Sequence, residues 1–247
     1  MKFGIADYGM NVYEGGLFDI ERRLLGLREI GYDGTERLEA VGEADAIHKA
    51  ALYRKHGMDF ATCRGPSVQA GIEWTAALGK GYVWVQVGGG NFDTFCRQAE
   101  LQGEICRQWG LTAAIHNHMG SPVETQPQLE EFLKRCPHCG LLLDTAHLAA
   151  AGGDCLEIVR KYHARIAALH LKDWMVTNPD AGLDKWHQRG RFCELGAGNI
   201  GLDNAAVLKA MVERGYDGWV HVEQDTHLRD PLEDLAVSRQ YLRKAGF

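Results

Sequence analysis

Eight short apolar runs, each followed by a longer stretch with helical spacing, constrain this 247-residue chain more than any other feature. The runs are Phe3–Ala6, Gly34–Leu38, Asp59–Cys63, Tyr82–Val87, Leu111–Asn117, Leu141–Thr145, Ile166–Lys172 and Trp219–Glu223. They are nearly continuous in aliphatic and β-branched residues, as parallel strands covered on both faces must be. Helices are expected near 18–30, 44–56, 69–79, 92–109, 126–135, 154–164, 203–214 and 231–244. Eight strand–helix units at this length predict an α/β fold, a (β/α)8 TIM barrel built as one domain over 1–247. The tetrapeptide GYDG occurs at 31–34 and again at 215–218. Each copy sits at a helix–strand joint, where glycine supplies a left-handed cap. The long irregular stretch at about 175–199 precedes the last strand. A loop of that length in a compact barrel is expected to be a lid.

Four consecutive runs end on metal-competent side chains: His116, Asp144, His170 and Glu223. Strand C-termini converge at one mouth of such a barrel. Taken singly, each residue has an ordinary role, as a bonded imidazole, a helix cap or a solvated strand end. Four at neighbouring strand ends predict a divalent metal. Two imidazoles and two carboxylates suit Mn²⁺ foremost, with Co²⁺, Zn²⁺, Fe²⁺ or Mg²⁺ as alternatives, and do not suit Ca²⁺. No cysteine belongs to the set, which argues against a closed structural zinc site.

His118, His147 and Lys172 lie near these ligands in sequence and, with Glu223, are the candidate acids and bases. A lysine beside a dication should have its ammonium form disfavoured. Asp173 is expected to pair with Lys172 or Arg191. The expected lid carries Trp186, His187, Arg189 and Arg191, which are candidate substrate contacts through ring stacking and hydrogen bonds to oxygens.

The net charge of −6 speaks against a nucleic-acid partner. No window of 18 apolar residues predicts a membrane span, and MKFGIADYGM lacks the long apolar core of a signal peptide. Seven scattered cysteines, with no secretion signal, read as reduced thiols in the cytoplasm. CPHC, Cys136 to Cys139, has redox spacing but sits between a helix end and a strand, away from the mouth. GAGNIG, Gly196 to Gly201, lacks the strand–turn–helix context of a dinucleotide site and reads as a turn before the last strand. Gly88–Gly90 reads as a tight loop after the fourth strand.

The stretches IHNHMGSPVET, LLLDTAHLAAAGGD, RIAALHLKDW and GWVHVEQD together resemble the xylose-isomerase-like barrel superfamily, and within it the inosose dehydratase family. The resemblance is clearest over 111–235; in the first hundred residues GYDGTERLEA is its anchor. It implies a metal-dependent barrel with ligands at His116, Asp144, His170 and Glu223. Epimerases of this superfamily carry glutamate where this chain has His116, and use two glutamates to exchange protons at two faces of a carbon. Glu223 alone remains of that pair. The resemblance therefore implies a lyase or dehydratase acting on a keto-polyol or keto-sugar, with an isomerase or epimerase as the alternative. A 3-keto-glycoside is a further substrate class, and a homodimer is compatible with such a barrel. A three-metal repair nuclease and a non-catalytic sugar-binding barrel complete the alternatives.

Overall fold

The computed structural model describes residues 1–6, 8, 10, 19–88 and 90–247. Residue 18, at the start of the first expected helix, and Gly89, in the expected tight loop, lie outside the described residues. The strands among the described residues are β1 (Lys2–Ala6), β2 (Gly34–Glu39), β3 (Asp59–Arg64), β4 (Tyr82–Trp84), β5 (Thr112–His116), β6 (Cys139–Asp144), β7 (Ile166–Leu171), β8 (Asp173–Val176), β9 (Gly190–Cys193) and β10 (Trp219–Glu223). The helices are α1 (Ile20–Ile30), α2 (Glu43–Lys55), α3 (Val68–Ala77), α4 (Phe92–Gln108), α5 (Gln126–Arg135), α6 (Thr145–Ala150), α7 (Cys155–Tyr162), α8 (Trp186–Arg189), α9 (Asn204–Val212) and α10 (Pro231–Lys244). None is long and apolar enough to cross a membrane.

Eight parallel strands form one sheet in the order β3-β2-β1-β10-β7-β6-β5-β4, a nearly closed barrel surrounded by helices. All eight expected strands are present. At the first GYDG joint, Gly31 takes φ +97° and caps α1, its amide donating to the Leu27 and Arg28 carbonyls; Gly215 in the second copy takes φ +81°. A larger side chain would be strained at either position.

The barrel closes between β3 and β4 without strand pairing among the described residues. Two side chains reach into that seam. Gln102 of α4 accepts from the Gln86 amide at 2.8 Å and donates to the Trp84 carbonyl at 2.9 Å, replacing a missing neighbour strand. Thr75 of α3 accepts from the Cys63 amide at 3.0 Å on the other bank. With one paired flank, β4 ends at Trp84 rather than at the expected Val87.

Inside the barrel, Ala61, Tyr82, Ala114, Leu142 and Ala168 form a small core. Three alanines at this level leave room for Tyr82, Trp84 and the polar groups above them. The larger core lies between sheet and helices, around Leu24, Leu129, Phe132, Leu141, Leu208 and Leu242.

The expected irregular loop at 175–199 is instead largely ordered. β8 and β9 pair as an antiparallel hairpin, Trp174 opposite Phe192, with the short α8 near its tip. Its root is held by Asp173, which accepts from the amides of Trp174 and Gly196, each at 2.9 Å, rather than pairing with Lys172 or Arg191. This explains GAGNIG. The turn wraps a carboxylate, and a β-carbon on Gly198 would lie 1.9 Å from Asp173 Oδ1.

Candidate metal centre

The strand ends bring His116, Asp144, His170 and Glu223 together, with one ligand atom from each lying within 4.8 Å of all the others. Asp144, His170 and Glu223 are buried and His116 is half-buried. Asp144 is both a helix cap and a site residue. Its Oδ1 accepts from the His147 amide at 2.8 Å and starts α6, while Oδ2 lies 3.4 Å from His116 Nε2. Asn117 locks that aspartate in place by exchanging two 2.9 Å hydrogen bonds with the Asp144 backbone, beyond the end of β5. Thr145 Oγ1 meets the carbonyls of His170 and Lys172, both at 3.2 Å, and Asn204 Oδ1 at 2.7 Å. These contacts tie β6 to β7 and set the relative height of two ligands.

The donor set fits a divalent cation. Lys172 Nζ touches Asp225 at 2.7 Å, Glu223 at 3.2 Å and Asp144 at 3.7 Å, so three carboxylates crowd one ammonium. That excess of negative charge, buried beside two imidazoles, is what a dication offsets.

The carboxylates around Lys172 set its charge state. Burial alone would lower its pKa, but Glu223, Asp225 and Asp144 outweigh burial and hold the ammonium. The Phe192 ring lies under the charge, 3.9 Å from its centre. Burial lifts the Asp225 carboxyl to about 6 in spite of Lys172.

His118 and His147 stand beside the tetrad as a close, tilted pair, ring centres 3.7 Å apart. The backbone of Met119 gives them opposite roles. His118 Nδ1 lies 2.6 Å from the Met119 carbonyl and must donate, leaving a lone pair on Nε2. His147 Nδ1 accepts from the Met119 amide at 3.2 Å, so in the neutral ring Nε2 carries the proton. Burial pushes both imidazoles down, His147 well below its ordinary value.

Of the four residues expected to contact substrate, Trp186 comes nearest, its ring 6.0 Å from His118 and 6.2 Å from His147. Arg189 donates instead to the carbonyls of Pro179, at 2.8 Å, and Ala181, at 2.5 Å, bracing the hairpin tip. His187 is exposed, and Arg191 stands opposite Met175 in the hairpin.

Glu36 of β2 carried no signal in the strand-end pattern, yet it is fully buried beneath the site. Its Oε1 accepts from Tyr82 Oη and Trp84 Nε1, both at 2.9 Å, and lies 3.1 Å from His170 Nε2. Burial raises this carboxyl, but His170, His221 and Arg37 outweigh it and bring the pKa to about 2. Asp225 was missed as well, because a carboxylate two residues past a ligand looks like any loop acid.

CPHC lies at the opposite end of β6 from Asp144. Both its thiols are buried and unoxidised, Cys136 Sγ 3.4 Å from the Cys96 carbonyl and Cys139 Sγ 3.2 Å from that of Ala99.

The model of the xylose isomerase-like TIM barrel family matches residues 24–245. The chain belongs to that family. Within it, the chain is similar to the inosose dehydratase of Clostridium botulinum, 32% identical over 152 residues, covering 58% of this chain and 50% of that one. The inosose dehydratase of Geobacillus thermodenitrificans is 27% identical over 221 residues, covering 85% and 72%. The chain thus spans about half the length of the first curated relatives it matches. Among solved structures, a probable 3-DHS dehydratase from Bacillus anthracis has a TM-score of 0.74 at 14% identity, covering 98% of this chain and 99% of that one. An IolI protein with a bound zinc atom has a TM-score of 0.66 at 18% identity, covering 100% and 96%. At these identities the two structures speak for the fold.

Proposed function

We propose that this protein is a divalent-metal-dependent lyase that expels water or another oxygen leaving group from a keto-polyol or keto-sugar. The observation that carries the reading is the tetrad of strand-end ligands beside two imidazoles whose hydrogen-bonding roles are opposite. The inosose dehydratase relatives support the substrate class. His116, Asp144, His170 and Glu223 would hold the metal, Mn²⁺ foremost. A cation bound there polarises a substrate carbonyl and acidifies the neighbouring C–H.

His118 Nε2, with its free lone pair, takes the α-proton. The C–H electron pair forms the new double bond and the β C–O bond breaks onto oxygen. The leaving oxygen takes its proton from the Lys172–His147 pair. Lys172 Nζ and His147 Nε2 lie 3.3 Å apart, and an ammonium cannot bond an imidazole N–H, so their hydrogens are available to an oxygen of the substrate. Trp186 covers the imidazoles and limits water.

Epimerisation requires a second base across from Glu223. Of the further carboxylates at the site, Glu36 is engaged by Tyr82, Trp84 and His170 and Asp225 by Lys172, which supports elimination instead.

Incubation with inosose and Mn²⁺ tests the proposal. A dione with new ultraviolet absorbance is expected. Exchange of the α-hydrogen with solvent and formation of an isomer would sink the lyase reading. His118→Asn should lower kcat by roughly 10²- to 10⁴-fold while metal binding holds.

A further inference from the structure

We infer that Glu36 is a positioning residue for the metal: it fixes the proton of His170 on Nε2 and so turns the Nδ1 lone pair toward the tetrad. This rests on the metal reading above and goes beyond it, since Glu36 is not among the four ligands. The two nitrogens of the His170 ring face opposite carboxylates. Nδ1 lies 2.7 Å from Glu223 Oε2, on the side of the other ligands, and Nε2 lies 3.1 Å from Glu36 Oε1. A histidine can ligate through one nitrogen only if the other keeps the proton, and a carboxylate behind the ring decides which.

Glu36 serves only as an acceptor, because a directional chain of hydrogen bonds ends on it. Tyr82 Oη donates its one hydrogen to Glu36 Oε1 at 2.9 Å. His221 Nε2, 3.2 Å from the same Oη, must then be the donor to it. Trp84 Nε1, which can only donate, reaches the same Oε1 at 2.9 Å. Two donors from β4 thus pin the carboxylate, and any third group at that oxygen must also bring a hydrogen. That group is His170 Nε2, which faces the oxygen at 3.1 Å as a charge contact whose N–H is not aligned for a full hydrogen bond. Trp84 supports the arrangement a second time, its ring centre 5.7 Å from that of His170 and 4.8 Å from that of His116.

The test compares the wild type with Glu36→Gln and Glu36→Leu, using Zn²⁺ as the probe. Calorimetric titration should show Zn²⁺ bound by the wild type and bound roughly ten- to hundredfold more weakly by Glu36→Leu. Glu36→Gln retains an acceptor oxygen and should fall between the two. In ¹⁵N–¹H NMR spectra of the zinc-loaded wild type, the proton of His170 should be on Nε2 and the metal on Nδ1. A merely structural Glu36 would change the thermal stability of the three proteins and leave Zn²⁺ affinity unchanged, and that result overturns the inference. Ligation through Nε2 with a protonated Nδ1 overturns it as well. If the wild type and Asp144→Asn bind Zn²⁺ equally weakly, the metal reading itself fails and takes this inference with it.

Discussion

Lys172 shows how much one residue's meaning depends on its surroundings. It is 1% exposed, touches three carboxylates and lies over the Phe192 ring. Removing its charge leaves Asp144, Glu223 and Asp225 mutually repelling in a buried space. Lys172→Met should therefore cost about 3–5 kcal/mol in the metal-free protein, read by urea denaturation. Added Mn²⁺ should return part of that loss, because a cation that binds only the folded state stabilises it. Unchanged stability would show that the carboxylates are solvated or neutral. At this scale the four candidate ligands were legible in the sequence, since each closes an apolar run. Glu36 and Asp225 were not. Their importance comes from partners in distant segments, 134 and 53 positions away in the chain for His170 and Lys172.

Among the elements, the β8–β9 hairpin carries most of what was unexpected. The sequence marked 175–199 as irregular because its alternation is short and interrupted by Asn178, Pro179 and Gly182. What orders it is an aromatic cluster, Trp174 and Phe192 with ring centres 4.7 Å apart and Trp186 beside both, packed over His147. The element hangs from the barrel by Asp173 and the glycine turn. If it roofs the site as proposed, Trp186→Leu should raise KM for inosose roughly three- to tenfold, from the loss of about 0.5–1.5 kcal/mol of ring contact. The thermal midpoint should move little, because Trp186 is only half-buried. An unchanged KM would assign Trp186 to holding the hairpin alone. Helix α6 was also missed. It is a short helix, started by the Asp144 cap, and too brief for its periodicity to show.

For the molecule as a whole, the weak line is the seam between β3 and β4. At its base Asp59, the first residue of β3, is bonded by Lys2 at 2.6 Å and by Lys80 just ahead of β4. Burial would raise the Asp59 pKa, but these two lysines outweigh it and lower it. A carboxylate depressed on folding stabilises above its unfolded value, about 3.9, and loses that contribution as pH falls through the lower folded value. Asp59→Asn should therefore be less stable than the wild type by about 1 kcal/mol or less near pH 7, since one of the lysines is largely exposed. Urea unfolding midpoints should converge as pH falls below that lowered folded value. A gap that persists in acid would point to packing rather than charge. By itself the sequence determined the eight strand–helix units and the four clustered side chains that could hold a metal, because hydrophobic period and position at a strand end are local properties. The tertiary structure alone decided which backbone groups His118 and His147 meet, which carboxylates gather around Lys172, and where the hairpin lies. Those outcomes depend on register between strands and on side chains from distant segments meeting in a buried space.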